Sequence, residues 1–289
     1  MKAKRQRTAL LFLLPAVVLL LCFMIYPLGK TIYYSFTAWY NFSAVQTFIG
    51  LENYKDLIRD PVVKTALRNT AILMAGVLLF QIGFALILAI LVDGVRHCFK
   101  FFRTIYFFPI VISATAIGLM FTLIYKYEYG LLNYFITLFG GEKQVWINEK
   151  TSIYLALIPV VWQYVGFYFV IFLTGITNIS SDIYESAMLD GIRPVQKAVY
   201  ITVPMLRSVL TSSIVLVVSG CFKVFDIIFM VTNGGPLDSS QLLSTYMYQK
   251  AFARGNGGYA SSIAIVMIVL GVAVTSVLRK MLQGGEEDA

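Results

Sequence analysis

The 289-residue sequence lacks the residues on which most catalytic and metal sites depend. Its one histidine is His97. Its three cysteines, which have no C-x-x-C spacing, are Cys22, Cys98 and Cys221. Histidine-based metal sites and catalytic triads are therefore excluded, and we interpret the cysteines as small apolar residues in or beside hydrophobic segments. We predict no catalytic residue, no metal site and no cofactor.

The chain also lacks a phosphate-binding loop. Gly29, Lys30 and Thr31 match the end of that motif, but Met24 stands where an upstream glycine is required. ATP hydrolysis by that route is excluded. We expect that the chain is not an enzyme.

Charge is scarce and apolar sequence is abundant. Only 13% of the residues are charged and 58% are hydrophobic. Six apolar runs of about 20 residues are each long enough to cross the ~30 Å hydrocarbon core as a helix, whereas buried strands run only about four to eight residues. We predict an all-α polytopic membrane protein with six transmembrane helices, the first an uncleaved anchor. The runs are 9–28, 70–92, 105–125, 153–175, 209–231 and 259–278.

Lysine and arginine are concentrated in alternate connections. Four lie among the first seven residues, others lie at Arg96, Lys100 and Arg103, and the last run ends at Arg279 and Lys280. With six spans these segments share one side, which the positive-inside rule makes cytoplasmic. We therefore predict cytoplasmic N- and C-termini. The net charge of +8 is a topology signal, and we expect no nucleic-acid partner because no basic cluster lies on a soluble face.

The segment between the first two runs, about 40 residues long, is predicted to lie outside. Pro61 interrupts a helical pattern that continues over 62–69. We predict a short helical pair, interpreted as a lid on the bundle, with a dedicated binding surface as the alternative. The apolar residues at helical spacing before the proline are Leu51, Tyr54, Leu57 and Ile58.

A polar stretch of about 30 residues separates the fourth and fifth runs, on the cytoplasmic side. Ser180, Ser181 and Asp182 favour a helix start, and Asp182 with Glu185 has capping-box spacing. Residues 183–189 favour helix. Beyond them, a left-handed end is expected at the next glycine and a stop at the next proline, which are Gly191 and Pro194.

This predicted helix of about two turns is too short to be stable alone in water. Ser186 and Ala187 are small enough to let a partner approach closely, and Glu185 and Asp190 offer carboxylates to an arginine. The residues leave two readings open, a helix that lies on its own bundle and one that docks on another protein.

Residues 185–204, ESAMLDGIRPVQKAVYITVP, closely resemble the loop signature of permease subunits of binding-protein-dependent ABC importers. That signature reads E-A-A, two residues, D-G and, ten residues on, I-x-x-P. Ser186 replaces the middle alanine by another small residue, and Ala198 stands where the family usually has an aromatic residue. The residues that match in register are Glu185, Ala187, Asp190, Gly191, Ile201 and Pro204.

Three more segments are similar to the sugar-uptake branch of that family, the maltose and glycerol-phosphate type with two different permease subunits, of which this chain resembles the first. They are GLENYKDLIRDP at 50–61, FDIIFMVTNGGP at 225–236 and YQKAFARGNGGYASS at 248–262. The resemblance divides the chain into an anchor helix with an extracellular helical segment, 1–69, and an importer transmembrane domain, 70–289. The coupling loop is then 176–207.

The resemblance implies an assembly in a bacterial or archaeal cytoplasmic membrane. The loop helix would be a coupling helix held in a cleft of a separate cytosolic ATPase dimer. An extracellular or periplasmic binding protein would deliver the sugar, and a second permease subunit would complete the path. The residues that would couple to the ATPase are Glu185, Ser186, Ala187, Asp190, Gly191 and Pro204.

Polar residues inside the runs are candidates for the substrate path. Lys223 and Asp226 are three residues apart in the fifth run, close enough to form an ion pair on one helix, which is the alternative to a functional role. Aromatic and amide groups suit sugar rings and hydroxyls. Ser219 and Lys223 are the preferred candidates. The others are Gln81, Trp162, Gln163, Tyr164, Tyr168, Asp226 and Asn233.

Two other functions are weighed against sugar import. The same architecture could carry a polyol or a glycerol phosphate ester, but a phosphate favours several cationic groups and only Lys223 is obvious within a run. A self-contained secondary transporter or channel predicts ionisable residues in several spans and an internal repeat. The sequence has neither.

Overall fold

The computed structural model describes residues 12–94 and 99–283. The described residues are mostly helical, and they fall into two compact units, 12–63 with 246–269, and 64–94 and 99–245 with 270–283. Predictions for His97, Cys98, Arg96 and the first seven residues lie outside the described part. The helices are α1 (Phe12–Ser35), α2 (Glu52–Arg59), α3 (Pro61–Asp93), α4 (Phe99–Val111), α5 (Ala114–Ile124), α6 (Leu131–Leu138), α7 (Ser152–Thr177), α8 (Ser181–Leu189), α9 (Pro194–Met205), α10 (Arg207–Cys221), α11 (Asp226–Thr232), α12 (Leu243–Tyr248) and α13 (Gly257–Gln283).

Four of these helices, α1, α3, α7 and α13, are long and apolar enough to cross a membrane unbroken. Two bent pairs, α4 with α5 at 91° and α9 with α10 at 69°, bring the number of spans to six when each pair counts as one. The predicted all-α class is confirmed. The lengths of the apolar runs in the sequence are enough to predict this class, because a helix is the structure that satisfies its own backbone groups within a membrane.

The smaller unit contains α1, α2 and a two-stranded antiparallel sheet. Strand β1 (Thr37–Ala38) pairs with β2 (Thr47–Phe48), with Thr37 opposite Phe48. The Asn53 amide on α2 donates to the carbonyls of Ser35 and Thr37, at 2.9 and 3.0 Å. Those two bonds hold α2 against the end of α1.

The predicted outer helical pair is present in its first member only. Asp60 is extended (φ −67°, ψ 116°) and ends α2, as expected for a residue before proline. Pro61 is the first residue of α3, a position where proline lacks no required hydrogen bond. The predicted second helix, 62–69, is therefore the beginning of the second span, which starts earlier than the predicted residue 70.

The larger unit is built around α7. Helices α3, α4, α5, α10 and α11 contact it, and Phe169 and Phe172 at its centre are fully buried. Helix α5 also packs closely on α11. A side chain at Gly118 would overlap Met230, and the Thr122 hydroxyl donates to the Met230 carbonyl at 3.0 Å.

The predicted third span, 105–125, is not one helix. Ser113 is extended (φ −56°, ψ 133°) and caps α5 by accepting from the Ala116 N–H. The break leaves the Ile112 carbonyl without a helical partner, and the Gln163 amide of α7 donates to it at 3.1 Å. A neighbouring helix thus satisfies the backbone group that the bend frees.

The predicted fifth span, 209–231, is also interrupted. Helix α10 ends at Cys221 and α11 begins at Asp226. The Val224 carbonyl between them accepts from the Ser244 hydroxyl at 2.5 Å. Lys223 and Asp226 are consequently not on one helix, and no ion pair joins them in the described part of the chain. The alternative of an intrahelical ion pair is therefore contradicted, because it required a continuous helix.

Candidate functional site

Helix α8 begins as the loop sequence predicts. Ser180 is the N-cap residue, and its hydroxyl accepts from the Asp182 N–H at 3.3 Å. The predicted capping box between Asp182 and Glu185 is absent, because with Ser180 as N-cap the third helical residue is Ile183, which has no carboxylate. The Ser186 hydroxyl donates instead to the Asp182 carbonyl at 2.8 Å.

The end of α8 is a Schellman motif. Gly191 has φ +73°, its N–H donates to the Met188 carbonyl, and the Ile192 N–H donates to the Ala187 carbonyl at 3.2 Å. This confirms the left-handed position predicted for Gly191. No atom lies within 4 Å of where a side chain would start at this glycine. Backbone conformation, and not crowding, therefore requires glycine here.

The predicted coupling residues differ in exposure. Glu185, Ser186 and Asp190 are exposed, whereas Ala187 is only 5% exposed and packs within its own chain. Leu189, beside these polar groups, is 90% exposed. Helix α8 thus presents an outward surface of two carboxylates, a small hydroxyl and a large apolar side chain.

Tyr184 attaches α8 to α9. Its hydroxyl shares a hydrogen bond of 3.2 Å with Thr202, which is buried, and the Lys197 ammonium lies 4.5 Å from its ring centroid. Burial raises the pKa of Tyr184, and the Asp93 carboxylate raises it further against the hydrogen bond with Thr202. A cavity of about 790 Å³, lined in part by Asp93 and Tyr184, adjoins α8.

Pro204 and Ala198 both lie in α9. Pro204 is exposed, two residues before Leu206, at which the chain bends by 69° into α10. Ala198 starts a π-helical turn, Ala198–Thr202, and is half-buried. The short α9 therefore connects the exposed loop helix to the fifth span.

A cavity of about 260 Å³ lies among α3, α7 and α10 of the larger unit. It brings together two of the predicted path residues, Tyr168 and Lys223, and two further sequence candidates, Gln81 and Tyr164. The remaining lining residues are Val77, Val160, Val217, Gly220, Cys221 and Val224. An amide, two phenols and one ammonium thus face a mostly apolar space.

The other predicted path residues do not line this cavity. Ser219 is half-buried on α10, and Asp226 is exposed at the start of α11. Asn233 ends α11 with φ +49°. Gln163 is engaged with Ile112 at the bend of the third span.

A cluster in the smaller unit was not expected from the sequence. The Asp60 carboxylate accepts from the hydroxyls of Tyr246 and Tyr259 at 2.6 and 2.7 Å and from the Val62 N–H at 2.9 Å. The Lys250 ammonium lies 3.8 Å from it. Burial raises the pKa of Asp60, but the donors and the lysine outweigh burial and the pKa is lowered. A separation of 186 residues hides this contact from any local pattern.

These features define a multi-pass helical membrane protein with an exposed, capped loop helix before its bent fifth span. The chain belongs to the family of binding-protein-dependent transport system inner membrane components, whose model matches residues 81–284. It is accordingly a permease component of such a system, a multi-pass protein of the cytoplasmic membrane.

Individual relatives agree with the family. The chain is 37% identical to the probable ABC transporter permease protein YurN of Bacillus subtilis, over 96% of this chain and 97% of that one. It is 31% identical to the diacetylchitobiose uptake system permease protein NgcF of Streptomyces coelicolor, over 97% and 84%. A crystal structure of a bacterial ABC transporter that imports alginate has the same fold, with a TM-score of 0.86, 21% identity and coverage of 98% and 97%.

Proposed function

We propose that this permease forms, with a second and different permease subunit, the path for ATP-driven uptake of a mono- or oligosaccharide delivered by a solute-binding protein. The observation that carries the proposal is α8, a helix whose two carboxylates, Glu185 and Asp190, are exposed. The chain that carries this helix has no phosphate-binding loop of its own. Relatives named for diacetylchitobiose uptake and for multiple sugar-binding transport support the sugar as substrate.

In this proposal α8 couples the permease to a separate cytosolic ATPase dimer. Glu185 and Asp190 bind cationic side chains in a cleft of the ATPase through charge-assisted hydrogen bonds. Ser186 permits close approach, and Ala187 and Gly191 keep the helix packed and terminated. Pro204 marks the turn into the fifth span. Both termini face the cytosol with α8.

The proposed sugar path includes the cavity with Tyr168 and Lys223 in its lining. Phenol rings suit the apolar faces of sugar rings, and the mostly apolar wall with a few polar groups is typical of small-molecule sites. Ser219, Asp226, Asn233 and Gln163 stay predictions as path residues. Import of a glycerol phosphate ester is disfavoured, since Lys223 is the one cationic residue among the described residues of the lining.

The test is uptake and ATP hydrolysis by the reconstituted importer with its binding protein. We expect a sugar among glucose, maltose, N,N′-diacetylchitobiose and alginate oligosaccharides to stimulate ATP hydrolysis, and Glu185→Ala to reduce that stimulation at least tenfold. Glu142→Ala, which removes another exposed carboxylate, is the matched control and should behave as wild type.

Two results would contradict the proposal. One is sugar uptake that is unchanged in Glu185→Ala and that proceeds in liposomes without any ATPase. The other is an ATPase response that stays flat across all four sugars.

A further inference from the structure

Two glutamines are buried in apolar spans, and only one has a structural partner. Gln163 is 3% exposed and its amide donates to the Ile112 carbonyl at the bend of the third span. Gln81 is 4% exposed and makes no side-chain hydrogen bond to any described residue, 12–94 and 99–283. It lines the 260 Å³ cavity. Its amide is not among the fully enclosed atoms that lack a partner, so it remains accessible from the cavity.

An amide that has no hydrogen-bond partner inside a membrane span lowers the stability of the folded chain. Removing a polar group from water without a new hydrogen bond is unfavourable, and in a bilayer the surroundings supply no substitute. An apolar residue at position 81, between Phe80 and Ile82, would avoid that cost. The amide is therefore positioned to hydrogen-bond a ligand that enters the cavity.

The local backbone supports the same reading. Gln81 lies in a π-helical segment of α3, Val77–Ile82. Such segments within α-helices are frequent at functional sites, because the extra residue re-aims the side chains of one turn. Val77 and Gln81, both from this segment, line the cavity.

A second unpartnered polar group faces the same space. Tyr168 is 6% exposed, and its hydroxyl has no hydrogen-bond partner in the described chain. Two polar side chains, each more than nine-tenths buried, thus converge on one cavity. At about 260 Å³ the space falls just below the ~300 Å³ at which small-molecule pockets begin, which suits one part of a ligand whose remainder contacts the second subunit.

We propose that Gln81 is a specificity-determining residue that hydrogen-bonds sugar hydroxyls in this cavity, with Tyr168 beside it. The amide offers two donors and one acceptor, which matches neighbouring hydroxyls that both donate and accept. Sites built to bind a hydroxyl strongly reject analogues that lack it, because the polar groups of the site are then unpaired. This inference rests on the proposed sugar import and adds the group that reads the sugar.

The test compares Gln81→Met, Gln81→Asn and Gln163→Met in the complete importer with its binding protein. Methionine keeps the length of glutamine and removes the amide. We expect Gln81→Met to lower the uptake rate at least tenfold for the best of maltose, N,N′-diacetylchitobiose and alginate oligosaccharides, with an unchanged or higher unfolding temperature. Gln81→Asn should retain part of the uptake. Gln163→Met, which leaves the Ile112 carbonyl unpaired, should lower the unfolding temperature.

The outcomes separate this inference from the proposed function. Wild-type uptake by Gln81→Met would overturn the inference, and so would a lower unfolding temperature for Gln81→Met than for wild type, since that result makes the amide structural. If Gln81→Met fails to assemble, that also makes the amide structural. If no sugar is taken up by the wild-type importer, the proposed function itself fails.

Discussion

The Asp60 cluster gives a prediction whose size follows from its contacts. Tyr259→Phe removes one hydroxyl donor, 2.7 Å from the carboxylate, and keeps the ring beneath Lys250. Hydrogen bonds to charged groups contribute about 1.5–3 kcal/mol. The local opening of this cluster should therefore become roughly 10- to 150-fold more frequent, since about 1.4 kcal/mol corresponds to a factor of ten.

The assay is hydrogen exchange of the purified protein in nanodiscs, read at α2 and at the Val62 amide. The Val62 N–H donates to Asp60 and exchanges when the cluster opens. Tyr40→Phe is the matched control, because Tyr40 is 55% exposed and has no side-chain hydrogen bond in the described chain. It should stay within about 0.5 kcal/mol of wild type. Equal exchange in Tyr259→Phe and Tyr40→Phe would refute the reasoning.

The same cluster predicts an acid dependence. The folded protein lowers the pKa of Asp60, so the stabilisation is present above the unfolded-state pKa of about 3.9 and is lost as the pH falls through the folded-state pKa. Tyr259→Phe removes one of the interactions that lower this pKa. The loss of stabilisation in acid, measured as increased opening of the cluster, should therefore begin at a higher pH in Tyr259→Phe than in wild type.

Two further predictions concern the coupling helix and the fifth span. Gly191→Ala should lower the local stability of the end of α8 by about 1–2 kcal/mol, because φ is +73° at this position. It should also weaken ATPase coupling more than Gly191→Asn does. Hydrogen exchange of α8 and sugar uptake per ATP measure these effects, and wild-type values for the alanine variant would contradict the prediction. Lys223→Gln should slow uptake, and neither Lys223→Gln nor Asp226→Asn should change the unfolding temperature, because no ion pair joins the two residues in the described chain. Equal losses of stability in both variants would instead indicate a pair.

The features that the sequence predicts well depend on local chemistry. Apolar length predicts the spans, and the serine before α8 with the glycine after it predicts a short capped helix whose two ends the structure confirms. These signals act within a few residues of one another, so no tertiary information is needed.

The errors arise where distant residues decide the backbone. The bend at Ser113 is stable because Gln163, 51 residues from Ile112, satisfies the freed carbonyl. The break after Cys221 depends in the same way on Ser244, 20 residues from Val224. Pro109 and Gly220 lie close to the two breaks and are local signals for them. A prediction from apolar length alone does not use these signals, and it treats both runs as continuous helices.

Because distant partners matter, the sequence alone could not show which polar residues of the spans are available to line the substrate path. Gln81 and Gln163 are equivalent in a sequence, since both are amides in apolar runs. The structure separates them by their hydrogen bonds, as one amide is bonded to the Ile112 carbonyl and the other faces a cavity. The sequence can thus list the polar side chains of a span. Only the structure shows which of them already hydrogen-bond to the backbone and which remain available to a substrate.

The loop helix and the cavity belong to one stretch of the larger unit. From Ser181 the chain passes through α8, α9 and α10 to Lys223, a lining residue of the cavity. At the bend between α9 and α10, Leu206 is 1% exposed, and a side chain at Gly175 of α7 would lie 2.7 Å from it. A displacement of α8 therefore cannot be absorbed by loose packing at this bend. In the proposed importer, an ATPase that binds the two states of α8 with different affinity would shift the wall of the cavity through these three consecutive helices.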